Sequence, residues 1–289
     1  MDTRNLETLI AVAQRGSLAG AAKHLHLTAT AVALRIRALE DEFGSPLVAR
    51  SGQTVRPTEA GYAVLAHAEL VLSEYRALRA AVTGNTIAGS LRIGAISTVL
   101  SGVLPDALMR LSRSHPDLRI FLEPGSSNDL YDRVIAGHLD AAAIVRPAFD
   151  LSKSWEFVTW RREKLVLLVP KEERRSNVEA ILADSAYIRY DRQQWGGRLP
   201  EAWLSERGIA PDVRYELDAL DAIAVLVGRG LGVSIVPDWA GPRPEGVAIR
   251  SLPLPDPTPF REIGLIWPRH SPRIQMLKCV RQAVEETMG

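Results

Sequence analysis

The chain has 289 residues, of which 46% are hydrophobic and 24% are charged, and its 35 basic and 34 acidic side chains leave a net charge of +1. This composition indicates a globular protein long enough for two domains, and it excludes a uniformly basic nucleic-acid-coating protein. Because Asp2 and Glu7 interrupt the first apolar stretch, we expect no signal peptide, no membrane partner and a cytoplasmic protein. The single cysteine, Cys279, excludes an intrachain disulfide, and without a Cys/His cluster we expect no metal and no cofactor.

Residues 1–57 contain short helical patterns and few strand formers. An apolar stripe at helical spacing ends at Gly16, which predicts the end of a first helix. Ser17 and Thr28 are suited to cap two further helices, the last extending to about residue 42. Small alanines in the second of these helices allow a close helix crossing, as a helix-turn-helix requires.

Basic side chains are concentrated in this region. Positions 15–37 carry basic but no acidic residues, which gives a local cationic surface that the net charge of the whole chain hides. The following segment, 46–58, has two strand-like runs joined by turn residues at 51–53, with Arg50 and Arg56 at the shoulders. A basic hairpin after a basic third helix predicts a winged helix-turn-helix, with that helix in the major groove and the wing along a phosphate backbone.

The run LETLIAVAQRGSLAGAAKHLHLTATAVALRIRALEDEFGSPLVARSGQTVRPTEAG (6–61) resembles the N-terminal domain of LysR-type transcriptional regulators. The matching positions fall in register without a gap, among them Gly16-Ser17, Ala21-Ala22, Leu27-Thr28, Leu39-Glu40, Phe43-Gly44, Pro46-Leu47 and Thr58-Glu59-Ala60-Gly61. Where that family usually has Gln, Ser and Arg on the third helix, this sequence has Ala29, Ala33 and Leu34. The resemblance therefore implies binding to double-stranded DNA, but the family's rules for base recognition do not carry over.

The candidate DNA-binding residues are polar or basic side chains of the helix-turn-helix and its wing. They are Ser17, Thr28, Thr30, Arg35, Arg37, Arg50, Gln53 and Arg56. We expect Thr28, Thr30 and Arg35 to contact base edges or nearby phosphates, and the remaining arginines to anchor the backbone. A solvated basic surface is the alternative interpretation.

A long helix is predicted over 58–87. Its apolar residues recur at alternating spacings of four and three: Val64, Ala68, Val71, Tyr75, Leu78 and Val82. That pattern is typical of the seam of a two-helix coiled coil, although a stripe of under three heptads could equally pack on its own domain. The resemblance implies a linker helix that joins two protomers, and commonly a tetramer of two such dimers. Such a dimer holds two recognition helices ~34 Å apart, or a multiple of that distance.

From residue 91 onward, β-rich runs alternate with helical segments, which predicts an α/β domain around a parallel sheet. The stretches that are similar to the effector domain of LysR-type regulators are 91–98, 115–127, 130–144 and 216–237. The resemblance implies a periplasmic-binding-protein-like domain over 88–289, with two α/β lobes and a ligand cleft between them. We place the first lobe at about 91–161 plus 266–289 and the second at about 162–265. The predicted fold class is thus multidomain, a mainly α-helical winged helix-turn-helix and linker helix followed by this two-lobed domain.

Two predicted strands end in small hydroxyl residues directly before a helix. Ser97 and Thr98 follow the first strand of the domain, and Ser126 and Ser127 follow the second. Since ligands bind beyond the carboxyl ends of such strands, where helix N-termini attract anions, these positions suit a carboxylate. Simple helix capping is the alternative for each of them. Arg146, at the crossover to the second lobe, is a candidate to bind a carboxylate bidentately or to form a structural ion pair.

The second lobe supplies three further candidates. Tyr190 and Trp195 flank the polar, glycine-containing loop YDRQQWGG, where aromatic rings either line a pocket or pack in the core. Asp218 lies near the start of a predicted helix and either caps it or lines the cleft. Together these residues predict a small anionic or aromatic metabolite as the effector.

We therefore expect a regulator that binds an imperfect palindrome, changes its lobe angle when a metabolite binds, and alters its contact with RNA polymerase. An enzyme is the main alternative, but the second domain contains no G-x-S-x-G, P-loop or H-E-x-x-H motif. A binding module for solute uptake is disfavoured by the N-terminal winged helix-turn-helix. The sequence does not specify the metabolite, the operator or the direction of regulation.

Overall fold

The computed structural model describes residues 2–51, 54–83 and 87–288. The chain divides into two compact units, Met1–Ser90 and Leu91–Gly289. The first unit contains α1 (Thr3–Arg15), α2 (Leu18–Leu25), α3 (Ala29–Phe43), β1 (Val48–Ser51), β2 (Thr54–Pro57) and α4 (Glu59–Thr83). Within the described residues, no helix has the length and apolar character needed to cross a bilayer.

The helix boundaries of the first unit follow its capping residues. Ser17 Oγ accepts a hydrogen bond from the backbone N–H of Gly20 at 3.0 Å, and Thr28 Oγ1 accepts one from Ala31 at 3.1 Å. Gly16 ends α1 with φ at 65°, a left-handed conformation that glycine adopts without strain. The predicted caps are confirmed because each satisfies a backbone group that the helix end leaves open.

Hydrogen bonds donated by backbone N–H groups join the β1–β2 wing to α3 and to the end of α1. Glu40 Oε1, on α3, accepts from the backbone N–H of Leu47 at 2.8 Å, just before β1. The N–H of Val55, on β2, donates to the carbonyl oxygen of Gly16 at 2.8 Å. Leu47 and Val55 are also buried in the core that α1 and α3 share. The wing is therefore held at both strands.

The first half of α4 packs within its own unit. Ala68 and Leu72 are buried in the same core as α1 and α3, whereas Tyr75 and Leu78 are 43% and 64% exposed. The Val82 side chain lies outside the described residues. Of the two interpretations that the stripe leaves open, packing on its own domain applies to the first half, because Ala68 lies in this core and Val64 and Val71 pack against it.

The second unit alternates strands and helices. Its first part contains β3 (Gly89–Ala95), α5 (Ser97–Gly102), α6 (Leu104–Ser114), β4 (Leu118–Pro124), α7 (Ser127–Ile135), β5 (Ala141–Val145) and β6 (Trp155–Pro170). It continues with α8 (Val178–Asp184), β7 (Ala186–Tyr190), α9 (Arg198–Glu206), β8 (Asp212–Leu217), α10 (Leu220–Gly228), β9 (Ser234–Pro237), β10 (Ile249–Pro253), β11 (Phe260–Pro268) and α11 (Ile274–Met288).

Two long antiparallel strands connect the two lobes of this unit. Six strands lie in the order β10-β6-β11-β5-β3-β4, and β9 also pairs with β6. β6 pairs with β11 from Trp155 to Lys164, and beyond that point it pairs with β9 and β10. We define the first lobe by β3, β4, β5 and the parts of β6 and β11 that pair between residues 155–161 and 263–268, and the second lobe by β7–β10 and the helices between them.

The chain returns to the first lobe earlier than the sequence predicts. β11 pairs with β5 from Ile263 onward, so 263–265 belong to the first lobe and not, as expected, to the second. The reason is that the backbone groups of this buried strand need partners on both sides, which β5 and β6 provide. The parallel pair β7–β8 forms a separate sheet in the second lobe.

Candidate functional site: a recognition helix and an interlobe cleft

One face of α3 is exposed to solvent, and the opposite face packs in the core of the first unit. Val32 and Ile36 are buried, and Thr30, Leu34 and Arg37 are exposed. Because the first turns of a recognition helix contact base edges in a helix-turn-helix complex, this exposed face is the candidate surface for the major groove.

The predicted DNA-binding residues divide by what their side chains already contact. Ser17 and Thr28 serve as caps, so each oxygen accepts a backbone N–H while its O–H remains able to donate to a phosphate. Arg56 is exposed on β2. Gln53 and the side chain of Arg50 lie outside the described residues.

Arg35 differs from the expectation of a base contact. Its side chain is half-buried, and its guanidinium donates to Thr8 Oγ1 on α1 at 3.4 Å. Arg35 follows the exposed Leu34 by one residue, which turns it ~100° around the helix toward α1. The structure therefore places Arg35 against its own unit, and Thr30 and Arg37 are the predicted α3 residues on the exposed face.

In the second unit, a cavity of about 220 Å³ lies between the two lobes. Six of the eight predicted cleft residues line it: Ser97, Thr98, Ser126, Ser127, Tyr190 and Asp218. Two helices of nine residues begin at the cavity, α7 from the first lobe and α10 from the second. The N-cap of α10, Ala219, makes no side-chain capping bond, so the helix presents its first backbone N–H groups uncapped by its own side chain.

The two serines after β4 also have structural roles. Ser126 Oγ caps α7 by accepting from the N–H of Asp129 at 3.3 Å. Ser127 Oγ accepts from the N–H of Val145 at 3.1 Å and is buried. Since each hydroxyl acts as acceptor in these bonds, its own proton remains available to a ligand. Both the capping and the cleft-lining interpretations therefore apply to this pair.

A buried arginine that the sequence interpretation missed forms part of the cavity wall. The Arg261 side chain is 1% exposed, and its Nε donates to Glu163 Oε2 at 2.7 Å. Its Nη2 donates to Thr98 Oγ1 at 3.2 Å, which joins β11 to α5. Because Glu163 offsets its charge, this guanidinium serves in the cleft as an oriented N–H donor.

Tyr190 is the predicted aromatic residue that lines the cavity. It is buried, and this burial raises the pKa of its phenol, so the hydroxyl stays protonated and can donate. Arg261 lies within hydrogen-bonding reach of it. Gln194, in the loop after β7, lines the same cavity.

Arg146 and Trp195 lie elsewhere, and for both residues the structure supports the structural alternative to cleft lining. Arg146 Nη1 lies 3.3 Å from Glu262 Oε2, the structural ion pair that the sequence left open, because Glu262 on β11 lies beside the end of β5. The Trp195 ring packs edge-to-face against Tyr131 and Phe149 at 5.6 and 5.8 Å between centroids. Neither side chain lines the cavity.

Among the described residues, no group of three or more His, Cys, Asp or Glu side chains is placed to hold a metal ion. The charged side chains that line the cavity are Arg261, which pairs with Glu163, and Asp218. The arrangement offers hydrogen-bond donors to a ligand.

Two family models match the chain. Residues 3–62 match the bacterial regulatory helix-turn-helix proteins of the lysR family, and residues 84–289 match the LysR substrate binding domain. The chain belongs to the LysR family. Its LysR-family relatives include the DNA-binding transcriptional dual regulator OxyR of Escherichia coli, 28% identical over 297 residues that cover 100% of this chain and 96% of OxyR. The regulator CzcR of Bacillus cereus is 28% identical over 242 residues, covering 83% of this chain and 81% of CzcR.

Solved structures show the same LysR-family fold. A hydrogen-peroxide-bound cysteine variant of Corynebacterium glutamicum OxyR superposes with a TM-score of 0.74 at 20% identity, covering 99% of this chain and 92% of that one. The protein is thus a LysR-type DNA-binding transcriptional regulator with an effector-binding domain, which is a non-enzymatic role. LysR regulators self-associate. The predicted family, fold class and function are confirmed.

Proposed function

We propose that this LysR-type regulator is controlled by a small anionic metabolite bound in the interlobe cleft. The observation that carries this proposal is the buried Arg261 in the wall of the same cavity at which α10 begins. N–H groups and the helix dipole favour negative charge at such a position. Since Trp195 packs outside the cavity, the lining offers little aromatic surface, and this favours an anion over an aromatic effector.

The volume of the cavity and the residues that the second lobe contributes to it limit the class of metabolite that fits. A cavity of about 220 Å³ is smaller than the sites that hold drug-sized ligands. The carboxylate of Asp218 lies on the same lining and is an acceptor, so a bound anion that also carries a hydroxyl or amino group pairs with it. A short hydroxy acid or amino acid fits both requirements.

We assign DNA binding to residues 1–57, dimerisation to the helix over 58–87 and effector binding to 88–289, in a protein that acts in the cytoplasm. A dimer or tetramer binds an imperfect palindrome of double-stranded DNA. The effector favours one lobe angle, the dimers rotate, and contact with RNA polymerase changes. Such a switch requires that the effector bind the two arrangements with different affinity.

The ligand is tested by thermal shift of the full chain against a panel of short carboxylates, hydroxy acids and amino acids. A binder is then titrated against Ser97→Ala, which removes a hydroxyl that lines the cavity. We expect about tenfold weaker binding, the usual effect of losing a hydrogen bond to a charged group. Ser101→Ala, on the same helix but outside the lining, is the matched control. Equal affinity of both variants would contradict the assigned site.

DNA binding is tested by footprinting the region upstream of the chain's own gene at several salt concentrations. We expect two phased half-sites and a steep loss of affinity with salt, because arginines and lysines displace counterions from phosphates. No binding at any salt by folded, dimeric protein would overturn the proposal.

A further inference from the structure

The more exposed of the two large hydrophobic side chains on the surface of α3 is a leucine, since Phe43 is 46% exposed. Leu34 is 60% exposed, while Val32 and Ile36, two residues to either side, are buried. At ~100° per residue these neighbours lie about 160° around the helix axis from Leu34. Leu34 therefore occupies the middle of the face turned away from the core.

On that face, the side chains around Leu34 toward the N-terminus of α3 are small, and Arg37 lies beside Leu34 on the C-terminal side. Thr30 is exposed one turn earlier and Ala38 one turn later, and Ala33 is half-buried beside it. Arg35 is directed to Thr8 on α1. The N-terminal half of α3 thus presents to a major groove one hydroxyl and several apolar side chains, and no amide or guanidinium group.

The rim around this apolar face is basic. Positions 15–37 contain no acidic residue, and Arg37 and Arg56 are exposed. A single exposed leucine on a protein surface is ordinary. Leu34, however, lies at the centre of a basic recognition surface, so the molecule that binds there must carry negative charge around an apolar group. In DNA, phosphates supply the negative charge, and the C5 methyl group of thymine is the apolar group in the major groove.

We propose that Leu34 determines sequence specificity by packing against thymine C5 methyl groups in the major groove. This inference rests on the proposed DNA binding by α3. It predicts that each half-site of the operator contains a thymine that is recognised by shape and apolar contact, with Thr30 contributing its methyl group or hydroxyl beside it. Arginines at the rim add affinity that does not depend on sequence.

The experiment replaces single thymines by uracil. A binding site is first selected from a random duplex pool with the full-length protein. Each thymine of the selected site is then changed to uracil, which removes the methyl group and leaves every hydrogen-bonding edge intact. We expect about fourfold weaker binding at one position per half-site, the effect of losing one buried methyl contact.

Leu34→Ala then tests whether this leucine makes the contact. Because the side chain is exposed, the variant is expected to fold like the parent protein. The variant should bind the thymine and uracil duplexes equally at that position, with an unchanged salt dependence. Leu231→Ala, an exposed leucine of the second unit, should keep the fourfold difference.

Sequence-specific binding that tolerates uracil at every position would overturn the role of Leu34 and leave the proposed function standing. A thymine preference that persists in Leu34→Ala would overturn it as well. Failure to select any preferred sequence would overturn the proposed function and this inference together.

Discussion

Arg261 and Glu163 lie opposite each other on β11 and β6, with 1% and 2% of their side chains exposed. Glu163 Oε1 also accepts from the backbone N–H of Ala240 at 3.0 Å and lies 3.3 Å from Arg161 Nε. The Glu163 carboxylate therefore contacts side chains of β6 and β11, where the chain passes between the lobes, and the backbone of Ala240 in the second lobe. Removing one partner of a buried pair leaves an uncompensated charge, which is the costly part of breaking it.

We expect Glu163→Ala to lower the free energy of unfolding by about 3–5 kcal/mol. Urea denaturation of the full-length protein measures this. Glu285→Ala is the matched control, since Glu285 Oε1 pairs with Arg281 Nε at 2.8 Å on the surface of α11 and exposed pairs contribute at most about 1 kcal/mol. Equal losses in the two variants would show that the buried pair has no special structural role.

The same pair shows what the sequence could not provide at the residue scale. The hydroxyls after β3 and β4 were predicted because they directly follow recognisable strands. Arg261 lies on β11, which the sequence pattern did not predict, at an inward position that alternates with the buried Ile263 and Leu265. A charged residue in an alternating apolar run was the available signal. When β11 is not predicted, Arg146 is a more conspicuous candidate in the sequence than Arg261.

At the scale of elements, α4 combines two roles along its length. Its first half completes the core of the winged unit through Ala68 and Leu72. Farther along, Tyr75 and Leu78 continue the apolar stripe into solvent. Exposed apolar side chains at these spacings are typical of a seam that a second copy of the helix covers. If α4 is the proposed dimerisation helix, we expect its second half to form the contact.

We expect Leu78→Glu to convert the dimer to monomer at micromolar concentration, because the seam would then bury two unpaired carboxylates. Sedimentation velocity measures the change. Ala66→Glu is the control, because the exposed Ala66 lies about 120° around the helix from Leu78. A Leu78→Glu variant that sediments like the parent protein would place the interface elsewhere.

The helices of the first unit were predictable and several strands of the second were not, for a physical reason. Caps such as Ser17, Thr28 and Gly16 act on backbone groups within a few residues, so their signals are local. β7, β8 and β10 acquire their partners from distant parts of the chain, and β8 is mostly exposed. Their stability comes from pairing that a local pattern does not encode.

At the scale of the whole molecule, the cysteine content limits the redox chemistry of this chain, one relative of which is called a hydrogen peroxide-inducible genes activator. The single cysteine, Cys279, cannot close a disulfide within the chain. Burial raises the pKa of its thiol, which keeps it protonated and slows its oxidation. Its Sγ lies 3.6 Å from His115 Nε2, within the first lobe.

We expect hydrogen peroxide to leave the DNA footprint of the parent protein and of Cys279→Ser unchanged. Footprinting before and after peroxide treatment, on the selected operator, measures this. A peroxide-dependent change that the parent shows and Cys279→Ser lacks would make the thiol a sensor and contradict this prediction.

The paired course of β6 and β11 has a consequence for how the effector domain can be divided. Arg161 and Ile263 are register partners, so the chain leaves the first lobe and re-enters it at neighbouring strands, ~4.8 Å apart. The second lobe is thus inserted into the first at a single point. A short turn in place of 162–262 would leave a continuous chain with all five strands of the first lobe. The segment that forms the second lobe, with its half of the cleft, is therefore a unit that could be exchanged between related proteins.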